Sequence, residues 1–140
     1  LSVDDYRAYV LPYVTTLIQK LRQAGAPVIY FGTETAILLP HMKETGADVI
    51  GVDWRIPLDD AWKSLGFAGA VQGNLDPALL FAEQQLLRQR TEDVLRRAGG
   101  RPGHIFNLGH GIMPGTPVEN VLAVVDVVKE YSGRHATATQ

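Results

Sequence analysis

The sequence predicts an α/β fold in which four parallel strands alternate with helices. Short apolar segments begin near residues 28, 49, 70 and 104, and segments with helical spacing of apolar residues lie between them. Strands that alternate with helices pair in parallel through right-handed crossovers. Four such units could form a small open sheet or half of a (β/α)₈ barrel. Short strands, an early repeat of roughly 21 residues and polar residues after each strand favour the barrel.

Capping and turn residues delimit the elements of the first half. Ser2 and Asp5 resemble a capping box before apolar residues at helical spacing, and Gly25 ends this helix. A proline inside a helix removes a hydrogen bond, so Pro12 is expected to kink it. The next elements are a strand over 27–31, a helix around 38–42 that contains Pro40, a strand over 48–52 and a short helix over 57–65.

The second half continues the same alternation. Its elements are a short strand over 70–72, a loop over 73–76, a charged amphipathic helix over roughly 83–98, a strand over 105–108 and a helix to about Ser132. Asn74 and Asp76 are most simply a turn residue and the N-cap before Pro77. We expect one incomplete barrel domain over 1–133, and a disordered tail over 134–140 because that segment shows no periodicity.

Composition excludes several classes of function. A net charge of −2 gives no electrostatic footprint for nucleic acid. We expect neither a membrane span, which needs ~18–20 apolar residues, nor a signal peptide. Without cysteine there is no disulfide, thiolate zinc site or cysteine nucleophile, which is compatible with the cytoplasm. The chain opens at Leu1 inside a helical pattern, so we expect it to be cut from a longer protein.

The segment HIFNLGHGIMPGTPVEN over 104–120 is the most informative part of the sequence. Gly109 and Gly111 flank His110 directly after an apolar strand, and glycine can adopt unusual backbone conformations and approach a ligand closely. His110 is therefore expected at the carboxyl end of a strand, where α/β proteins bind ligands. The next helix is expected to open with an N-cap, a first-turn proline and a capping-box glutamate, at Thr116, Pro117 and Glu119.

Polar segments after the other three strands are expected to line the same rim as His110. These segments cover 32–34, 53–55 and 74–76. Asp53 more simply caps a loop or pairs with Arg55, Trp54 is expected to pack, and Glu34 is expected to be a first-turn helix charge. No phosphate-binding glycine motif follows any strand, and the other histidines lack metal-ligand spacing, so we expect no metal site.

Three motifs in this order carry a resemblance to a known family: VDWR over 52–55, QGNLDP over 72–77 and NLGHG over 107–111. With their neighbours, they resemble the uroporphyrinogen decarboxylase family over Leu1 to about Ser132, in its C-terminal portion. The resemblance implies the C-terminal half of a (β/α)₈ TIM barrel. It also implies a cytoplasmic homodimer, without cofactor, that converts the four acetate side chains of uroporphyrinogen III to methyls. The product is coproporphyrinogen III, an intermediate of porphyrin and heme biosynthesis.

The resemblance also implies how the chemistry is divided along the family's chain. Loss of CO₂ leaves a carbanion, and protonation of the substrate's own pyrrole ring provides the electron sink. The family's aspartate, arginines, tyrosine and serine or threonine are expected upstream of Leu1, so no catalytic residue is expected in this portion. Only His110 maps onto a recognised pocket residue, as a ligand for substrate carboxylate or a participant in proton transfer.

Two alternatives remain at this point. Related barrels transfer methyl groups from corrinoid proteins to thiols with zinc held by histidine and cysteine, and the absence of cysteine argues against that activity. An incomplete barrel could instead lack catalysis and act as a binding or oligomerising remnant. A half barrel would leave unpaired sheet edges and expose inward-facing apolar residues, for which we predict Val28, Ile50, Val71 and Phe106.

Overall fold

The computed structural model describes residues 1–136 of the chain, with side-chain environments for 1–133. The strands are β1 (Ile29–Phe31), β2 (Val49–Gly51), β3 (Ala70–Leu75) and β4 (His104–Leu108). The helices are α1 (Val3–Tyr9), α2 (Leu11–Arg22), α3 (Leu39–Glu44), α4 (Leu58–Ser64), α5 (Gln84–Ala98) and α6 (Val118–Ala136). Two 3₁₀ turns cover Ala36–Leu38 and Pro77–Phe81.

The four strands form one parallel sheet in the order β1-β2-β3-β4. A helical segment connects each strand to the next, so the predicted alternation of parallel strands and helices is confirmed. Since all strands run in the same direction, their carboxyl ends meet at one edge of the sheet. The loops after β1, β2 and β4 therefore lie close together at this edge.

One face of the sheet is covered by helices and the other face is open. Tyr30, Ile50 and Val71 lie side by side in register and pack into the apolar core with the helices. The neighbouring positions face the other way, and Phe31 and Ile105 are each 42% exposed. In a closed barrel this open face corresponds to the interior.

The prediction of which strand residues point inward was wrong for three of four positions. Ile50 and Val71 are 4% and 0% exposed beneath the helices, and Phe106 packs against the same core. Val28 lies before β1 and is half-buried. Strand side chains alternate between faces, so a shift of one residue assigns every side chain to the wrong face. Consecutive apolar residues such as Val49 and Ile50 give no local signal to fix this choice.

Several helix boundaries follow their predicted signals. The Ser2 hydroxyl accepts a hydrogen bond from the backbone N–H of Asp5 at 3.1 Å, as expected of an N-cap. The first helical segment is interrupted at Val10, and Pro12 lies in the first turn of α2, where a missing N–H costs little. The proline thus separates two helices instead of kinking one.

Three boundaries differ from prediction. β3 continues through the predicted loop to Leu75, since its backbone pairs with β4 as far as Leu108. Thr116 does not cap α6, because its hydroxyl donates to the carbonyl oxygen of Met113 at 2.7 Å. α6 continues to Ala136, past its predicted end. The rest of the predicted tail, over 137–140, lies outside the described residues.

His104 joins β3, β4 and α4 beneath the sheet. Its Nε2 lies 2.8 Å from the carbonyl oxygen of Gly73, and since a carbonyl can only accept, Nε2 donates. The ring centroid lies 6.4 Å from that of Trp62 and 6.2 Å from that of Phe106. Burial lowers the pKa of His104 from its ordinary value, and the hydrogen bond to Gly73 opposes this only in part.

We expect stability to fall when the pH drops below the ordinary histidine pKa of 6.5, because unfolded chains then bind a proton that folded His104 resists. Each unit of difference between the two pKa values contributes about 1.4 kcal/mol. Urea unfolding between pH 8 and 5 measures the effect. His104→Gln, which retains a donor for Gly73, should flatten the profile. His110→Gln removes an exposed histidine and should leave the pH dependence of stability unchanged. If the His104 variant lost as much stability between pH 8 and 5 as the unsubstituted chain, His104 would not be the source of the pH dependence.

Candidate functional site

The carboxyl ends of three strands bring together Phe31, Trp54 and His110. The His110 ring lies edge-on to both aromatic rings, with centroids 6.5 Å from Phe31 and 5.8 Å from Trp54. Such edge-to-face contacts fix the orientation of a ring without using its polar atoms. His110 is exposed at the rim, as the sequence predicted, and forms no hydrogen bond to any described residue. Both imidazole nitrogens are therefore available to a ligand.

Gly109 sets the distance between β4 and the loop after β2. A Cβ atom at this position would overlap the backbone nitrogen of Trp54 and lie 3.0 Å from the carbonyl carbon of Asp53. The Gly109 N–H donates to the carbonyl oxygen of Leu75 at 2.7 Å, which fixes the residue after β4 to the end of β3. The close approach predicted for Gly109 exists, but the neighbouring group is protein backbone. The unusual backbone conformation predicted for the two glycines was wrong, since neither Gly109 nor Gly111 has a φ in the left-handed region, and the Cβ position of Gly111 is open space.

Asp53 is a buried carboxylate that organises the loops after β1 and β2. It is 3% exposed, and its Oδ2 accepts from the backbone N–H of Glu34 at 2.6 Å. Its Oδ1 accepts from the backbone N–H of Arg55 at 2.9 Å, and the Arg55 Nη1 donates to Oδ2 at 3.0 Å. Both oxygens are occupied by protein donors, in agreement with the loop-capping and ion-pair interpretation of Asp53.

Asn74 ties the end of β3 to the same loop. This side chain is 6% exposed, and its Nδ2 donates to the carbonyl oxygens of Asp53 at 2.8 Å and Ile56 at 2.7 Å. Asp76 accepts from the backbone N–H of Ala78 at 2.9 Å, which is the predicted N-cap. Both residues shape the rim, because each side chain holds backbone groups in place.

The Trp54 ring contacts both His110 and the guanidinium group of Arg55. The guanidinium carbon of Arg55 lies 3.8 Å from the centroid of the Trp54 ring, a favourable cation–π distance. The Arg55 Nη2 approaches the Glu34 Oε1 at 3.5 Å. Trp54 was expected to pack, and it is half-buried, but it also carries these two ring contacts. Glu34 lies in the loop before α3 with φ of 58°, so the predicted first-turn helix position was wrong.

A cleft of about 450 Å³ opens beside Trp54 and Arg55 toward α5. Its polar lining includes Asn74, Asp76 and Arg90. Within residues 1–136, no group of three or more histidine, aspartate or glutamate side chains is placed to hold a metal ion. None of the described helices combines the length and apolar character that a membrane crossing requires. The rim thus offers an imidazole, an indole and a guanidinium beside a solvent-accessible cleft.

Sequence comparison identifies the family. Residues 1–131 match the profile of the family described as uroporphyrinogen decarboxylase. The chain is 58% identical over 135 residues to the uroporphyrinogen decarboxylase of Koribacter versatilis (strain Ellin345), covering 96% of this chain and 38% of that protein. It is 56% identical over 128 residues to the uroporphyrinogen decarboxylase of Sorangium cellulosum (strain So ce56), covering 91% and 37%. The chain belongs to the uroporphyrinogen decarboxylase family.

A solved structure supports the fold. The chain is similar to a methyltransferase from Methanosarcina mazei with a TM-score of 0.81 and 20% sequence identity, covering 94% of this chain and 38% of that one. At this identity the likeness concerns the fold alone. The predicted fold class, the C-terminal half of a (β/α)₈ barrel with four parallel strands, is confirmed. The chain spans 38% and 37% of the length of these two uroporphyrinogen decarboxylases and 38% of the methyltransferase chain.

We expect Gly109→Ala to destabilise the protein by about 1–3 kcal/mol, because the added methyl group would push β4 away from the loop that carries Trp54. Gly111→Ala is the matched control, since its Cβ position is open. Urea unfolding and near-ultraviolet circular dichroism, to which Trp54 contributes, report on both variants. Equal midpoints and unchanged spectra in the Gly109 variant would show that this approach does not constrain the rim.

Proposed function

We propose that this chain is the C-terminal part of a uroporphyrinogen decarboxylase that converts uroporphyrinogen III to coproporphyrinogen III. The observation that carries the proposal is identity above 50% to curated uroporphyrinogen decarboxylases over nearly the whole chain. The exposed His110, held between Phe31 and Trp54 at the rim, supports a role for this part of the barrel in substrate binding. The likeness to a methyltransferase concerns the fold and does not favour methyl transfer.

The proposed reaction replaces each acetate side chain with a methyl group. The bond between the methylene carbon and the carboxylate breaks, CO₂ leaves, and a proton is added to the methylene carbon. A protonated pyrrole of the substrate takes up the electron pair in between and loses its added proton once the methylene carbon is protonated, so one proton is consumed for each CO₂ released and the chemistry requires neither a metal nor an organic cofactor. The groups that stabilise this cation are proposed to lie upstream of Leu1, and no catalytic residue is assigned to the present portion.

In this proposal, His110 is a substrate-binding residue. Its nitrogens are free of hydrogen bonds to the described residues and lie at an exposed rim, where an imidazole N–H can donate to a substrate carboxylate. The ring contacts with Phe31 and Trp54 hold the donor in place before the substrate arrives, which lowers the entropic cost of binding.

The complete enzyme is proposed to be a cytoplasmic homodimer whose other barrel strands cover the open sheet face. Ile29, Phe31 and Ile105 contribute large apolar side chains to that face, each more than 40% exposed. Apolar surface of this kind is normally buried by a partner segment. The 140-residue chain is therefore proposed to depend on the remaining part of the barrel for activity.

A chimera tests the proposed function. The N-terminal remainder of the Koribacter versatilis enzyme is joined to this chain where their similarity begins. We expect the purified chimera to convert uroporphyrinogen to coproporphyrinogen anaerobically without added metal or cofactor, and this chain alone to show no turnover. A folded chimera without activity, or one that requires zinc, pyridoxal phosphate or a thiol acceptor, would contradict the proposal.

The role of His110 is tested in the same chimera. We expect His110→Ala to lower kcat/KM by roughly one to two orders of magnitude, because a hydrogen bond to a charged group contributes about 1.5–3 kcal/mol. His41→Ala is the control, since His41 lies on α3 and contacts Glu44 at 2.8 Å, away from the rim. Unchanged kinetics in the His110 variant would remove this residue from the substrate site.

A further inference from the structure

Arg55 is a cation fixed at the same rim as His110. The buried carboxylate of Asp53 accepts from both the backbone N–H and the Nη1 of Arg55, at 2.9 and 3.0 Å. The guanidinium lies 3.8 Å from the Trp54 ring centroid, and the same ring contacts His110. The head group is therefore placed before any ligand binds, although its side chain remains 41% exposed.

The outer edge of Arg55 is weakly occupied. Its Nη2 lies 3.5 Å from Glu34, which is longer than the 2.7–2.9 Å typical of a charge-assisted hydrogen bond. The Glu34 side chain is 73% exposed, so solvent screens this ion pair strongly. An incoming carboxylate could replace Glu34 at the outer edge while Asp53 continues to hold the inner edge.

We propose that Arg55 is a second substrate-binding residue, which takes a carboxylate of the acidic substrate in exchange for Glu34. This inference rests on the proposed function, because that function supplies a substrate with several carboxylates. His110 and Arg55, which both contact the Trp54 ring, then bind different acidic groups of one substrate. Guanidinium offers a planar fork that matches a carboxylate, which lysine cannot reproduce.

The cleft beside Arg55 is open space next to the guanidinium, and its lining includes both acidic and basic side chains. Trp54 and Arg55 form one wall, and Arg90 contributes an exposed cation on the side of α5. Arg97 also lines the cleft, but Asp59 and Asp93 neutralise it at 2.8 and 2.9 Å. Arg55 is thus the cleft cation that is both held in place and open to exchange.

Steady-state kinetics of the chimera described above test the proposal. We expect Arg55→Gln to raise KM about tenfold with a smaller change in kcat, since the lost interaction serves binding. Arg55→Lys keeps the charge beside Asp53 without the fork and should raise KM by an intermediate amount. We expect Glu34→Gln to lower KM two- to threefold, because it removes the group that competes with substrate. High salt should reduce both effects.

Arg101→Gln is the matched control. Arg101 stacks on Phe67 at 4.4 Å in the loop before β4, at the opposite end of the sheet, and should leave KM unchanged. If Arg55 only supports the loop, its glutamine variant would lose stability or kcat with KM unchanged, and Glu34→Gln would not lower KM. Either result overturns the proposal. Absence of turnover in the folded, unsubstituted chimera contradicts the proposed function itself, which separates the two failures.

Discussion

The buried carboxylate of Asp53 is the interaction on which the rim depends. A charge that is 3% exposed is stable only when its oxygens are paired, and here the loop after β1, the loop after β2 and the Arg55 side chain supply the donors. Asn74 secures the Asp53 carbonyl from the neighbouring strand. Trp54 follows Asp53 directly in sequence, and its ring contacts Arg55 and His110. Loss of this carboxylate would release the loops that present Trp54 to His110.

The sheet has one face that is covered by helices and one face that is open. Helices cover the face that carries Ile50 and Val71, and this packing supplies the core of the described residues. The other face presents Ile29 and Phe31 without a covering layer. Phe31 lies both on this open face and against the His110 ring, at a centroid distance of 6.5 Å. Burial of the open face in a complete barrel would therefore affect the surroundings of His110 directly.

Local signals in the sequence were sufficient for the order of elements and for the place of His110. Apolar runs, caps and glycines determine secondary structure within a few residues of themselves. Strand β4 around Ile105 and the cap at Asp76 could therefore be predicted. Strand length at Leu75 and the face chosen by Ile50 depend on pairing with distant strands, which no local pattern encodes. The contact of Phe31 with His110 was missed for the same reason, since the two residues are joined only by the sheet.

Two histidines in one short segment have different surroundings, because the nitrogens of only one of them are bound within the described residues. The His104 Nε2–H donates a hydrogen bond to the carbonyl oxygen of Gly73, and the ring is half-buried beside aromatic rings. This hydrogen bond joins β4 to β3. His110 also contacts two aromatic rings, but no described residue takes its nitrogens. Residue type alone does not separate these two environments. The strand directs His104 into the core, whereas His110 lies in the bend that follows β4 and is exposed.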